Sequence, residues 1–139
     1  MEEMTVEEYK ARFNIPGIHR KYPLESEEQQ ALFSWARLSE RTYPELALLV
    51  HIPNGGYRNM SEAVRFKREG VKRGFPDILL PVARGGYHSL AIELKRIRGS
   101  STSPEQKQWI NALSEQGWKT AICKGWVEAR DLIIKYLEL

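Results

Sequence analysis

Residues 74–96, GFPDILLPVARGGYHSLAIELKR, constrain the fold more than any other stretch of the chain. Ile78 to Val82 is a short apolar run, Ser89 to Lys95 is an alternating one, and Arg84-Gly85-Gly86-Tyr87 lies between them. A glycine pair between two such runs predicts strand, tight turn, strand. In the return strand Leu90, Ile92 and Leu94 face a core, while Ala91, Glu93 and Lys95 face the other way. Asp77 opens the first strand, so pairing across the turn is expected to bring it near Glu93 at a sheet edge.

Carboxylates and an ammonium grouped in this way suit a hard cation. Mg2+ and Mn2+ take oxygen ligands, commonly one or two carboxylates completed by water and phosphate oxygens. Such an ion polarises a phosphoryl oxygen and lowers the pKa of a bound water. Lys95 is suited to orient that water or to stabilise charge gathering on a phosphate. The plain alternative is a solvated Glu-x-Lys pair on an amphipathic strand, which contributes little. Against it stands Asp77, set behind Pro76 at the opening of an apolar strand.

Pro76-Asp77 followed by Glu93-Leu94-Lys95 resembles the signature of the PD-(D/E)XK nuclease superfamily. Residues 70–77, GVKRGFPD, and Ser103-Pro104-Glu105-Gln106 are similar to its VRR-NUC branch, of the stand-alone phage and prophage type, from about Ser26 onward. The resemblance implies an α/β fold with a restriction-endonuclease-like core, a mixed central β-sheet flanked by helices. It implies a Mg2+- or Mn2+-dependent endonuclease that hydrolyses phosphodiester bonds in DNA and leaves 5′-phosphates. Asp77, Glu93 and the backbone carbonyl of Leu94 would hold the metal, with Lys95 catalytic. A glutamate at the preceding helix start, three residues before a glutamine, would complete the site. Glu27 with Gln30 fits that pattern, whereas Glu28 with Ala31 lacks the amide. Complementing the helix dipole is a sufficient ordinary role for both acids. Gln106 is implied to orient Lys95 or a phosphate, although capping alone accounts for it. Stand-alone relatives imply a homodimer that cuts branched DNA such as four-way junctions, inside a bacterial host. The alternatives are a restriction-type, sequence-specific endonuclease, or a non-catalytic DNA-binding or assembly protein on a nuclease scaffold.

With 139 residues the chain has room for one core and little for a separate target-recognition domain. A net charge of +3 does not by itself mark a nucleic-acid binder, but its distribution does more. Arg58, Arg65, Lys67, Arg68, Lys72 and Arg73 precede the first acid, and Lys95, Arg96 and Arg98 follow the second. Phosphate contacts are expected from Lys72, Arg73, Arg96 and Arg98, and from Asn54 and Arg58 around a glycine pair. Cys123 is the single cysteine, which excludes an internal disulfide and suits a reduced, intracellular protein. No stretch is long enough to span a bilayer.

Residues 1–23 are expected to hold one helix, capped at Thr5 and ended before Pro16, and an extended arm; residues 24–139 form the nuclease-like domain. There, Ser26 caps a helix from about Glu27 to Arg41, and Leu46 to Ile52 is a strand. Ser61 caps a helix to Glu69 whose Ala63, Val64 and Phe66 pack inward. After the hairpin, Ser103 caps a helix bearing Trp109, Ile110 and Leu113, followed by a strand, Trp118–Cys123, and a helix, Val127–Leu137. A strand-helix-strand crossover from Ser89 to Cys123 makes that pair parallel.

Overall fold

The structure, a computed structural model, describes Thr5, residues 22–53 and residues 59–139. The helix predicted before Pro16 and residues Asn54 and Arg58 lie outside the described residues. Helix α1 (Glu25–Leu38) leads through a 3-10 turn (Pro44–Leu48) to strand β1 (Val50–His51). Helix α2 (Met60–Arg68), strands β2 (Ile78–Leu80) and β3 (Leu90–Lys95), helix α3 (Pro104–Glu115), strand β4 (Lys119–Lys124) and helix α4 (Trp126–Leu137) follow.

The sheet runs β1-β2-β3-β4 and is mixed. β2 pairs antiparallel with β1 and β3, in the register Ile78↔Ile92, and β3 pairs parallel with β4 along its whole length. The turn between β2 and β3 closes with Gly85 at φ 55° and Gly86 at φ 85°, the left-handed pair that a type I′ hairpin requires. β3 is therefore a central strand, not the sheet edge that its alternation suggested. All six of its residues are buried, Glu93 and Lys95 included. Leu90, Ile92 and Leu94 join Leu32 and Trp35 of α1 and Trp126, Ile133 and Tyr136 of α4 in one core.

Three local expectations are corrected. The strand over Leu46–Ile52 shrinks to Val50–His51, because Pro44 opens a 3-10 turn that occupies the preceding residues. The cap of α2 is Asn59, whose Oδ1 accepts from Glu62 N–H at 2.9 Å and from Ser61 Oγ at 2.8 Å. α2 buries no residue, so Ala63, Val64 and Phe66 do not pack into the core. Instead Ala63, Phe66 and Lys67 line a cleft.

Helix α1 begins two residues earlier than its Ser26-x-x-Gln29 pattern suggests and ends at Leu38. Its N-cap is Leu24, and the Glu27 carboxylate takes the Leu24 N–H at 2.9 Å. Glu28, 2% exposed, accepts from the Trp126 N–H at 2.8 Å and so caps α4 from α1. Burial pushes its carboxyl up to about 7, against that hydrogen bond. Among the described residues no helix is long and apolar enough to cross a membrane.

Candidate metal centre

Continuing the β2–β3 register by one residue sets Asp77 opposite Glu93. Asp77 is pinned at both ends. Its carbonyl accepts from Ile52 N–H and from His51 Nδ1, each at 2.8 Å, and its Oδ1 accepts from Leu94 N–H at 2.9 Å. Because a carbonyl only accepts, His51 carries its proton on Nδ1.

Glu93, 4% exposed, commits one oxygen to the protein. Oε1 accepts from Gln106 Nε2 at 2.8 Å and pairs with Lys95 Nζ at 3.4 Å. Gln106 thus orients Glu93, not Lys95. Its own Oε1 takes the Ser103 N–H at 2.9 Å while Ser103 Oγ takes the Gln106 N–H, the reciprocal cap expected there. Leu94 adds a buried side chain and the N–H that holds Asp77.

The glutamate that α1 brings beside Asp77 and Glu93 is Glu25, while the expected Glu27 is held at the helix start. Glu25, Asp77 and Glu93 each offer an oxygen, all within 4.8 Å of one another. Glu27 is spent on the Leu24 N–H and Glu28 on α4. Burial first, then the Glu93 charge, pushes Asp77 up to about 8, while burial raises Glu93 against the pull of Lys95. Carboxylates crowded and desolvated in this way repel one another, and a cation between them would relieve that repulsion. An all-oxygen donor set fits Mg2+ or Mn2+.

The group opens into a cleft of about 1340 Å3. Lys67, Lys72 and Arg73 line it together with Lys95, Phe66 and Phe75. Arg96 and Arg98 do not line it. Strand alternation turns Arg96 away from Lys95, and the Arg98 guanidinium lies over the Tyr22 ring at 5.2 Å.

The basic loop before Asp77 is seated on α3. Trp109 Nε1 donates to the Arg73 carbonyl at 3.1 Å, and Phe75 meets the Trp109 ring edge-on at 5.0 Å. Gly74, at φ +93°, is the contact point: a Cβ there would lie 2.7 Å from the Glu105 backbone carbon and 2.9 Å from Gln106 N. Gly74→Ala is expected to cost ~1–3 kcal/mol in backbone strain plus the displacement of the turn that carries Gln106. Gly70→Ala, also at positive φ but with nothing within 4 Å, bears only the strain. Thermal unfolding of both variants checks this, and equal losses would contradict it.

Sequence reasoning misses Glu25 and Gln29 and takes His51 as structural and not a metal ligand; all three line the cleft. The phase of α1 carried the signal for the first two. At 100° per residue, Glu25 falls within ~20° of Leu32 on the core-facing stripe and Glu27 ~140° away.

An α/β sheet that gathers helix and strand carboxylates beside a lysine on its central strand is a nuclease-like fold. The VRR-NUC domain matches residues 7–126 of the chain. A solved structure described as a VRR_NUC domain protein is 34% identical, with a TM-score of 0.72 over 84% of this chain and 90% of that one. No curated protein matches. The chain belongs to the VRR-NUC family, and a nuclease-type action on DNA goes with that membership.

Proposed function

We propose that this protein is a Mg2+- or Mn2+-dependent endodeoxyribonuclease that hydrolyses phosphodiester bonds in branched DNA, four-way junctions foremost, as a homodimer. One observation carries the reading: Glu25, Asp77 and Glu93 converge within 4.8 Å, with Lys95 3.4 Å from Glu93, at the floor of a basic cleft. The three acids, with the Leu94 carbonyl as a further oxygen donor, would hold a divalent ion, which would supply Lewis acidity to a phosphate oxygen and acidify a bound water. Lys95 orients the attacking water or meets the charge gathering on the phosphorus oxygens. Glu93 holds the Lys95 ammonium, and Gln106 holds Glu93. Lys67, Lys72 and Arg73 take neighbouring phosphates, Arg96 and Arg98 are assigned to the more distant backbone, and Asn54 and Arg58 keep the phosphate contacts expected of them from the sequence.

A two-fold dimer sets paired sites on symmetric strands of a junction. Met60 and Val64, 81% and 46% exposed on α2, supply apolar surface for a second copy. Sedimentation reads that state.

The primary test is cleavage of a four-way junction against duplex, flap and single-stranded DNA with Mg2+ and with Mn2+. Faster junction cleavage with paired nicks supports the reading, and no cleavage of any of them removes it. A single preferred sequence in duplex would instead favour the restriction-type alternative. Within this scheme Glu25→Gln is expected to lower metal affinity and activity by ~10–100-fold. Glu27→Gln should stay near wild type, since glutamine keeps an oxygen for the Leu24 N–H. Calorimetric Mn2+ titration and initial rates compare the two, and the reverse order would restore Glu27 as the ligand.

A further inference from the structure

We infer that a groove along α1 is a second substrate subsite, shaped for one unpaired nucleotide of the DNA strand that runs on from the scissile phosphate. The inference rests on the nuclease reading above and narrows its substrate. The groove is a hollow of about 420 Å3 lined by Gln29, Gln30, Phe33, Ser34, Arg37 and His51. Gln29 and His51 also line the large cleft, so the two hollows meet at those side chains. Along α1, Glu25, Gln29, Phe33 and Arg37 recur every fourth residue, a row that starts in the acid cluster and ends ~18 Å away.

The chemistry of the lining changes along that row. The cleft holds the acids, whereas none of the six groove residues is acidic. Arg37 is exposed and makes no ion pair among the described residues, so its guanidinium is free for a phosphate. His51 is fixed through Nδ1 on the Asp77 carbonyl, which leaves Nε2 as its remaining hydrogen-bonding atom. Gln30 spends its amide nitrogen on Ser26 Oγ at 3.3 Å and keeps its carbonyl oxygen. Glutamine amides match base edges, and a half-buried phenylalanine offers a ring to a base face.

A paired base has both faces covered by its neighbours in the stack. Only a base out of the duplex can lie on Phe33. A hollow of a few hundred Å3 admits one such unit. An unpaired nucleotide beside the cut is what a junction or fork supplies and an intact duplex does not.

The test uses Asp77→Asn protein, silenced for cleavage, with three fluorescein-labelled probes read by anisotropy: a fork with unpaired nucleotides at the branch, a blunt duplex and a single strand. Phe33→Leu or Arg37→Ala, added to that background, is expected to weaken fork and single-strand binding about tenfold each while blunt-duplex binding moves about twofold or less. Arg37 is exposed, so its variant reports on binding even if Phe33→Leu perturbs folding. Equal losses on all three probes, or none on any, overturn the subsite. So does a silenced protein that binds no probe while wild type still cuts DNA, the result expected if the groove serves a protein partner. Absence of cleavage by wild type would instead count against the nuclease reading, and the anisotropy series is independent of it.

Discussion

Asp77→Asn is expected to abolish cleavage and, in metal-free protein at pH 8, to raise stability by ~2–4 kcal/mol. Both effects come from one environment. Burial and the facing Glu93 charge lift the Asp77 carboxyl from 3.8 to about 8, so the folded state resists ionising it. An acid raised on folding gives stability that is fully present below its unfolded value and is lost as pH rises through the folded one. Metal-free wild type should therefore soften steadily from about pH 4 to about pH 8, and Glu28, raised to about 7, adds to the same trend. Asparagine keeps an oxygen for the Leu94 N–H and removes the charge, so Asp77→Asn should flatten that slope. Added Mg2+ should stabilise wild type at pH 8 and leave the variant unmoved. Denaturant unfolding across this pH range, with and without Mg2+, measures both. A variant less stable than wild type at pH 8 without metal would show that Asp77 serves the fold and not a cation.

Lys95→Ala is expected to reduce kcat by ~10²–10³-fold with DNA binding nearly intact. Lys95 is 8% exposed and its ammonium lies against Glu93, so removing it withdraws the one cation paired with that acid among the described residues and pushes Glu93 further up. Lys95→Arg should fail to restore the rate, because a planar guanidinium cannot occupy the place of a compact ammonium in a buried site. Single-turnover cleavage, with binding measured in Ca2+, separates the two quantities. Cleavage by Lys95→Ala at the wild-type rate would remove lysine from the chemistry.

The hairpin was legible because its signals are local. Alternation in Ser89–Lys95 and the Gly85-Gly86 turn set the β2–β3 register, and that register alone brings Asp77 to Glu93. The cap of α3 was equally plain in Ser103-Pro104-Glu105-Gln106. What local reading could not supply was the third dimension. A Ser-x-x-Gln pattern drew the start of α1 to Glu27 with Ser26 as its cap, although the core-facing phase of Leu32 already pointed at Glu25 and away from Glu27. Nothing in Met60–Arg68 tells an amphipathic helix that it will border a cleft and not a sheet, so its apolar residues were given a core they do not have. His51 acquires its role only when β1 pairs with β2, a contact between residues 26 positions apart.

The amide of Gln106 has a consequence for how this protein can change. Its oxygen closes the first turn of one element while its nitrogen steadies an acid of another, so a single planar group answers to two selective demands. Glutamate would satisfy the first and set a second negative charge against Glu93, and shorter amides would miss one partner or the other. Drift at that position is penalised twice, and any lineage that escapes it must first rebuild both the turn and the orientation of the acid by other means.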